Sequence, residues 1–319
     1  MSLGLRAASL GEVMSYRFKG KESIAEAVRR IAAEQLDEAL EHAKAKTSID
    51  DAVHDTRVCF KKLRGLIRLI RGELGNQIYQ RENRFYRDIN RVLSKVRDST
   101  ALIEIFDKLT ERFEEELAND AFESFRKSIS RATRERQTEK RKALIDVRKK
   151  IAAARRRLRK WPALSDKYSS VSPGLRRTYK NGRDGFEKAE SKPSVRAFHQ
   201  WRKEAKYLAY NIQLLRPMWA GQLKDFGGEI KTLVDYLSDD HDLALLRKRA
   251  LKESKAADDG HEYEALLALI DKRRAELETR ARFLGQRIYA ETPGAFRNRF
   301  HEYWRGWRDE EKTRAIAAT

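Results

Sequence analysis

The chain has 319 residues, 37% of them charged, and a formal net charge of +20. A positive potential of this size attracts polyanions, and five prolines and sixteen glycines leave room for long amphipathic helices. The single cysteine, Cys59, excludes an internal disulfide framework and a cysteine-based zinc knot, and it fits a reducing compartment.

Membrane and export signals do not stand out in the sequence. No apolar stretch approaches the ~20 residues that span a bilayer. The first residues, MSLGLRAASLGEVMSYRF, lack the compact apolar core of a secretory signal. We therefore expect a cytoplasmic protein without membrane insertion.

Helical periodicity begins early in the chain. Apolar residues recur at helical spacing from Ser23 to Ala45, which predicts the first helix. Asp50 or Asp51 is the predicted N-cap of the second, because an aspartate side chain can accept the unpaired amide hydrogens of a helix start. We expect this second helix to end near Gly72 to Gly75.

The region that follows predicts further helices. A third is expected from about Gln77 to Val96 and a fourth from about Ser99 to Leu117. From Asp120 to Lys160 the chain contains neither proline nor glycine, which predicts one very long helix or a pair of helices.

The second part of that stretch, Arg131 to Lys160, is strongly basic, with fourteen basic and three acidic residues. Arginines recur there every seven residues, and this spacing keeps them on one slowly drifting helix face. They are Arg134, Arg141, Arg148 and Arg155. The face is either a solvated exterior or a wall of a ligand site, and the pattern favours neither.

A linker is predicted from Trp161 to Pro173, where Pro162 and four serines interrupt the helical pattern. It divides the chain into halves. The predicted helices of the second half are Leu175 to Ala189, Val195 to Leu215, Ala220 to Leu237, Leu243 to about Ala256, Glu262 to Ala290, and an aromatic helix, Pro293 to Arg308, that docks on the core.

The two halves contain copies of one helical segment, 145 positions apart. The first reads VHDTRVCFKKLRGLIRLIR from Val53 to Arg71, and the second reads FHQWRKEAKYLAYNIQLLR from Phe198 to Arg216. When His54 is aligned with His199, the basic residues pair as Arg57 with Arg202 and Lys61 with Lys206.

Each copy concentrates basic residues on one helix face. Positions +3, +7, +10 and +14 from the histidine lie with it in a sector of roughly 80°. In the first copy this sector contains no acidic residue and the opposite side is apolar, so one side faces a core and the other suits an anion. The basic sector comprises His54, Arg57, Lys61, Arg64 and Arg68.

The repeat extends beyond these helices. Leu93 to Asp98 (LSKVRD) corresponds to Leu237 to Asp242 (LSDDHD), and we expect a turn at each. Duplication on this scale predicts two similar helical bundles related by a pseudo-twofold axis. We place them at residues 14–165 and 171–310 of a single domain, 14–310.

Taken together, these segments resemble a CHAD domain, the conserved histidine α-helical domain. The most specific segments are VHDTRVCFKKLR, LSKVRD, LRRTYKNGRDGFEKA, FHQWRKEAKYLAY and LSDDHD, and the resemblance runs from Met14 to the aromatic C-terminus. It implies an all-α fold of two four-helix bundles around a central basic groove or pore. It also implies binding of inorganic polyphosphate without catalysis, and an association of some members with polyphosphate bodies or storage granules.

The resemblance assigns polyphosphate binding to matching positions of both copies. Arginine offers forked donors to phosphate oxygens, lysine a mobile charge, and histidine a donor that strengthens on protonation. The second copy departs from the family at Ala209, where another arginine is usual, so the halves need not contribute equally. The matching positions are His54, Arg57, Lys61 and Arg64 in the first copy and His199, Arg202 and Lys206 in the second.

Basic residues on neighbouring predicted helices are further candidates for this site. For each of them a salt bridge to an adjacent helix is the alternative. Asp98 and Asp242 are expected to cap helices or orient an arginine, because a carboxylate repels phosphate. These basic candidates are Arg84, Arg87, Arg91, Arg97, Arg176, Lys180, Arg183, Lys224 and Lys231, and Arg68 of the first copy's basic sector is a candidate beside them.

A catalytic function fits the sequence less well. His241-Asp242 has the form of an HD phosphohydrolase site, but it aligns with Arg97-Asp98, and an arginine cannot replace a metal ligand. Glycine-rich phosphate loops and a zincin helix are missing from the sequence. We therefore expect no catalytic residue, metal or cofactor.

Two binding functions remain open beside polyphosphate. Charge alone does not separate polyphosphate from RNA or DNA, although aromatic stacking platforms for bases are confined to Trp201 and Tyr210 near the second basic sector. The other alternative is a scaffold whose basic face binds an acidic protein.

Overall fold

The computed structural model describes residues 16–46, 48–117, 122–134, 137–255 and 261–317. Every regular element in these ranges is a helix, as the composition predicts. None of them is both long enough and apolar enough to cross a membrane. The α-helices are α1 (Ile24–His42), α2 (Ile49–Leu69), α3 (Arg71–Arg112), α4 (Glu123–Arg134), α5 (Gln137–Leu158), α6 (Ser172–Ser191), α7 (Val195–Leu215), α8 (Ala220–Ser254), α9 (His261–Ile288) and α10 (Pro293–Ala317).

Serines cap the first two helices. Ser23 and Glu26 form a capping box at the start of α1, each side chain accepting the other's backbone N–H. At α2 the hydroxyl of Ser48 accepts the N–H of Asp51 at 3.1 Å, so the predicted cap at Asp50 or Asp51 is wrong. Both aspartates lie in the first turn, where their charge favours the helix dipole, and Asp50 also pairs with buried Lys140 of α5 at 2.5 Å.

The two longest helices, α3 and α8, run through the segments where the sequence predicted turns. Leu93 to Asp98 lies inside α3, and Leu237 to Asp242 lies inside α8. The predicted breaks are therefore wrong, and neither Asp98 nor Asp242 caps a helix. The physical reason is that polar residues alone do not end a helix. No glycine or proline occurs from 76 to 112 or from 229 to 254.

Two helical segments, α4 and α5, occupy the described part of the predicted long basic stretch, and residues 135–136, which decide between one long helix and a pair, lie outside the described residues. The predicted linker is confirmed as a largely non-helical connection that contains a short 3₁₀ turn at Tyr168–Ser170. Helix α7 has the predicted bounds, Val195–Leu215. The interval between the helix predicted to end near Ala256 and the one predicted to begin at Glu262 falls largely on residues 256–260, which lie outside the described residues.

Two clusters of buried apolar side chains form the interior. The main core includes parts of α1, α2 and α5 from the first half and α6, α7 and α10 from the second. A second core lies where the distal ends of α3 and α8 pack with α4 and α9. The aromatic face of α10, including Phe296 and Phe300, is buried in the main core, which confirms the predicted docking helix. Both cores thus draw on both halves of the chain.

The repeated helices α2 and α7 approach each other closely near the middle of the fold. A Cβ atom added to Gly65 of α2 would lie 2.8 Å from the Cβ of Tyr210 on α7. Gly174 of α6 is still more crowded, because its Cβ would lie 1.9 Å from the Leu69 carbonyl oxygen at the end of α2. These close approaches fix α2 against the second half of the chain.

Candidate functional site

A cleft of about 560 Å³ lies beside the contact between α2 and α7. Residues from both copies of the repeat line it, and α3 and α8 supply the flanking walls. Eight arginines and lysines face one carboxylate there, that of Asp242, so the cleft carries a strong positive field. Its basic residues are His54, Arg57, Lys61, Arg64, Arg87, Arg91, His199, Arg202, Lys203, Lys206 and His241.

An arginine–serine unit occurs once in each copy. Arg57 on α2 donates to the hydroxyl of Ser94 on α3 at 2.8 Å, and Arg202 on α7 donates to the hydroxyl of Ser238 on α8 at 3.0 Å. Each serine hydroxyl in turn donates to the backbone carbonyl four residues earlier, at 2.7 Å for Ser94 and 2.6 Å for Ser238. Because each serine hydroxyl donates its hydrogen to that carbonyl, its oxygen is left to accept a hydrogen bond from the arginine. This bond holds the guanidinium group at the cleft wall.

Arg64 and Arg68 extend the first copy toward the second half. Both contact Asn83 Oδ1, at 3.1 Å from Arg64 Nε and 2.8 Å from Arg68 Nη1. Their guanidinium groups also lie over the ring of Tyr207 on α7, with Arg68 the closer at 3.9 Å from the centroid. Burial lowers the pKa of Arg64, although an arginine stays charged at any working pH. Its charge is therefore partly desolvated.

The second copy contains a histidine pair that the first lacks. The Nδ1 atoms of His199 and His241 lie 3.2 Å apart, so one ring donates to the other. Burial lowers the pKa of both rings, that of His241 to about 3, and the neighbouring Arg202 lowers it further. Both rings are therefore neutral at pH 7. Within the described residues, no three His, Cys, Asp or Glu side chains cluster as metal ligands.

The remaining candidates from the sequence lie elsewhere. Three form ion pairs on their own helices, Lys180 with Asp184 at 2.6 Å, Lys231 with Asp235 at 2.9 Å and Arg183 with Glu187 at 3.1 Å, whereas the predicted alternative was a salt bridge to an adjacent helix. The side chain of Arg97 lies outside the described residues. The candidates that are exposed away from the cleft are Arg84, Arg176 and Lys224.

Several cleft residues were not selected from the sequence. Ser94 and Ser238 occupy the same place in LSKVRD and LSDDHD, so the repeat itself held the signal for them. The repeat identifies His241 as the counterpart of Arg97, but the sequence spacing does not predict the contact between His241 and His199. Lys203 aligns with Val58, and the repeat therefore gives no signal for it.

The comparisons with known proteins agree with the motifs. No curated protein matches the chain. The family model described as CHAD domain matches residues 30–251, which is more than two thirds of the chain and includes every lining residue of the cleft. The chain therefore belongs to the CHAD domain family.

Proposed function

We propose that the cleft binds inorganic polyphosphate and does so without catalysis. The observation that carries this proposal is the convergence of both basic copies on one cleft, with eight arginines and lysines against a single carboxylate. Membership of a family associated with polyphosphate binding supports the same ligand.

The chemistry of the lining fits a ligand made of phosphate alone. Polyphosphate has no bases, so charge, oxygen atoms and chain shape are all that a protein can recognise. The guanidinium groups of Arg57 and Arg202 offer forked donors, one from each copy, and Lys61 and Lys206 add two further positive charges to the lining. Tyr207, which carries Arg64 and Arg68 on its ring, is buried and therefore offers no stacking face to a base.

The repeat also suggests how the halves are arranged around the ligand. We propose that the first and second halves are pseudo-twofold-related bundles and that the cleft is the basic groove between them. The equivalent units Arg57–Ser94 and Arg202–Ser238 support this arrangement, because the same hydrogen bond recurs at matched positions of the repeat. A long polyphosphate chain held in such a groove would carry the protein to polyphosphate granules.

A competition titration tests the ligand. Displacement of labelled polyphosphate from the protein is measured by fluorescence anisotropy at fixed salt, with unlabelled polyphosphate, single-stranded RNA and duplex DNA as competitors at equal phosphate concentration. Polyphosphate is expected to compete best. The logarithm of its affinity should fall with the logarithm of salt by about 0.7 for each phosphate neutralised, by analogy with single-stranded nucleic acid.

Two results would overturn the proposal. One is RNA displacing the label more effectively than polyphosphate, which would make the cleft a nucleic-acid site. The other is binding that does not respond to salt, since a cleft lined by charges must lose affinity as counterions compete. Release of orthophosphate from bound polyphosphate would contradict only the proposal that the cleft has no catalytic activity.

A further inference from the structure

A second basic surface lies on α5, away from the cleft, and it has its own geometry. Pairs of adjacent basic residues recur there every seven positions, in RKALIDV, RKKIAAA and RRRLRKW. Seven residues advance a helix by about 10.5 Å and return it to nearly the same face. The first members form one row and the second members another, about 100° around the helix. The six residues are Arg141, Lys142, Arg148, Lys149, Arg155 and Arg156.

Both rows are exposed, whereas the opposite side of α5 is buried in the protein. None of the residues that line the cleft belongs to α5. The strip between the rows holds Ile145, which is 50% exposed, and Ala152. From residue 141 to residue 160 the single carboxylate is that of Asp146.

The charges of these rows are largely unmatched. Arg155 pairs with Asp37 of α1 at 2.7 Å. The other five have no hydrogen-bond or ion-pair partner within the described part of the chain. Several exposed lysines on other helices are matched by carboxylates, as Lys127 is by Glu123 and Lys312 by Asp309. An unmatched double row therefore concentrates positive potential on one helix.

We propose that the exposed face of α5 binds the backbone of double-stranded nucleic acid without sequence preference. The major groove of a duplex is about 12 Å wide and is bounded by phosphates on both sides. A helix 10–12 Å across that carries one cationic row on each flank matches this spacing. The strip that faces the groove floor offers Ile145 and Ala152 and no hydrogen-bonding side chain that reads a base edge.

Other anionic partners would contact fewer of the residues on this face. A single polyphosphate chain laid along the helix would contact one row and leave the other free. An anionic membrane calls for several large apolar side chains between the charges, and Ile145 is the single large one on the strip between the rows. The duplex is the partner that engages both rows at once.

The test measures binding of a labelled 20-base-pair DNA duplex by fluorescence anisotropy, with the full-length protein. The α5 variant carries Arg141→Gln, Lys142→Gln, Arg148→Gln, Lys149→Gln and Arg156→Gln. Glutamine is a good helix former, so the exposed face should remain helical. The control variant also removes five exposed charges, at residues that are paired with carboxylates: Lys44→Gln, Lys46→Gln, Lys127→Gln, Lys312→Gln and Arg314→Gln.

The α5 variant is expected to bind the duplex at least about tenfold more weakly. Its salt slope should fall by about 0.9 for each phosphate that the variant no longer neutralises. Its polyphosphate affinity and melting temperature should stay close to those of the wild type. The control variant and a cleft variant, Arg57→Gln with Arg202→Gln, should keep duplex binding within about threefold, because distant charges are screened.

Equal losses in the α5 and control variants would overturn the inference, because binding would then follow net charge alone. The inference is also overturned if the wild-type protein fails to bind the duplex or if the cleft variant abolishes duplex binding. It is overturned as well if the α5 variant loses affinity for polyphosphate and keeps its affinity for DNA. A cleft that fails to bind polyphosphate would leave the duplex result unaffected. The two proposals therefore fail separately.

Discussion

The two halves of the chain contribute to the cleft alike at their arginine–serine units and differently around them. In both copies a serine with a committed proton fixes an arginine at the wall. Beyond this unit the first copy adds Arg64, Arg87 and Arg91, whereas the second has Ala209 and a pair of neutral histidines. The comparison indicates that duplication has kept the oriented guanidinium and has let the surrounding charge diverge.

Removing both oriented arginines should have the largest effect on polyphosphate binding. Hydrogen bonds to charged partners contribute about 1.5–3 kcal/mol each, so Arg57→Gln with Arg202→Gln should weaken binding at least about tenfold. The melting temperature without ligand should hold or rise, since two like charges leave a crowded cleft. A lowered melting temperature with normal affinity would show that these arginines are structural.

Removing the serines should have a smaller effect, and the effect should be the same in both halves. Ser94→Ala and Ser238→Ala each remove one oriented hydrogen bond, for which about 1 kcal/mol corresponds to roughly fivefold in affinity. Ser→Thr at the same positions keeps the hydroxyl and serves as the control. A large loss from one alanine variant and none from the other would break the equivalence of the two units.

Lowering the pH should change polyphosphate affinity through the histidine pair of the second half. Bound phosphates favour the protonated forms of His199 and His241, so binding takes up protons and should tighten a few-fold from pH 7 to pH 5. His241→Gln should reduce this gain, and the first copy, which has Arg97 at the matching position, has no counterpart of this residue. Isothermal titration in buffers of different ionisation enthalpy would measure the proton uptake directly.

The same pair should make the free protein less stable in acid. The pKa of His241 is about 3 in the folded chain against an ordinary 6.5, so the unfolded chain binds the proton first as the pH falls. Stability is therefore fully present above pH 6.5 and declines as the pH falls toward about 3. Melting curves at pH 7 and pH 5 should show a larger drop for the wild type than for His241→Gln. An equal drop would assign the acid sensitivity to other groups.

The smallest effect is expected from basic residues outside the cleft that are paired on their own helices. Lys180→Gln and Lys231→Gln remove a charge that Asp184 and Asp235 already match, and exposed pairs contribute little to stability. Polyphosphate affinity should change by less than about twofold. A loss as large as that of Arg57→Gln would mean that the ligand extends beyond the cleft.

The sequence was sufficient for those features that depend on local pattern. Periodicity located α1 and α7, and the repeat paired Arg57 with Arg202. The ion pairs of Lys180 and Lys231 also have a local pattern, an aspartate four residues further on, although the prediction for these lysines was a salt bridge to an adjacent helix.

Features of the site that depend on contacts between helices could not be predicted from the sequence. Ser94 and Ser238 lie in predicted turns, yet α3 and α8 continue through them, and their hydrogen bonds to Arg57 and Arg202 depend on α2 lying against α3 and on α7 lying against α8. Lys203 reaches the cleft because α2 and α7 meet at Gly65, an approach that no spacing within one helix reveals. The pairing of His199 with His241 likewise depends on α7 lying against α8.

The most direct test of a single shared site is the stoichiometry of short-chain polyphosphate binding in the two single variants. Isothermal titration is performed on the wild type, Arg57→Gln and Arg202→Gln at the same salt. If both copies of the repeat contact the same polyphosphate molecule, the wild type binds one ligand per protein. Each variant then still binds one ligand, with its affinity reduced by a similar factor. Two sites in the wild type, of which one survives unchanged in each variant, would contradict the account.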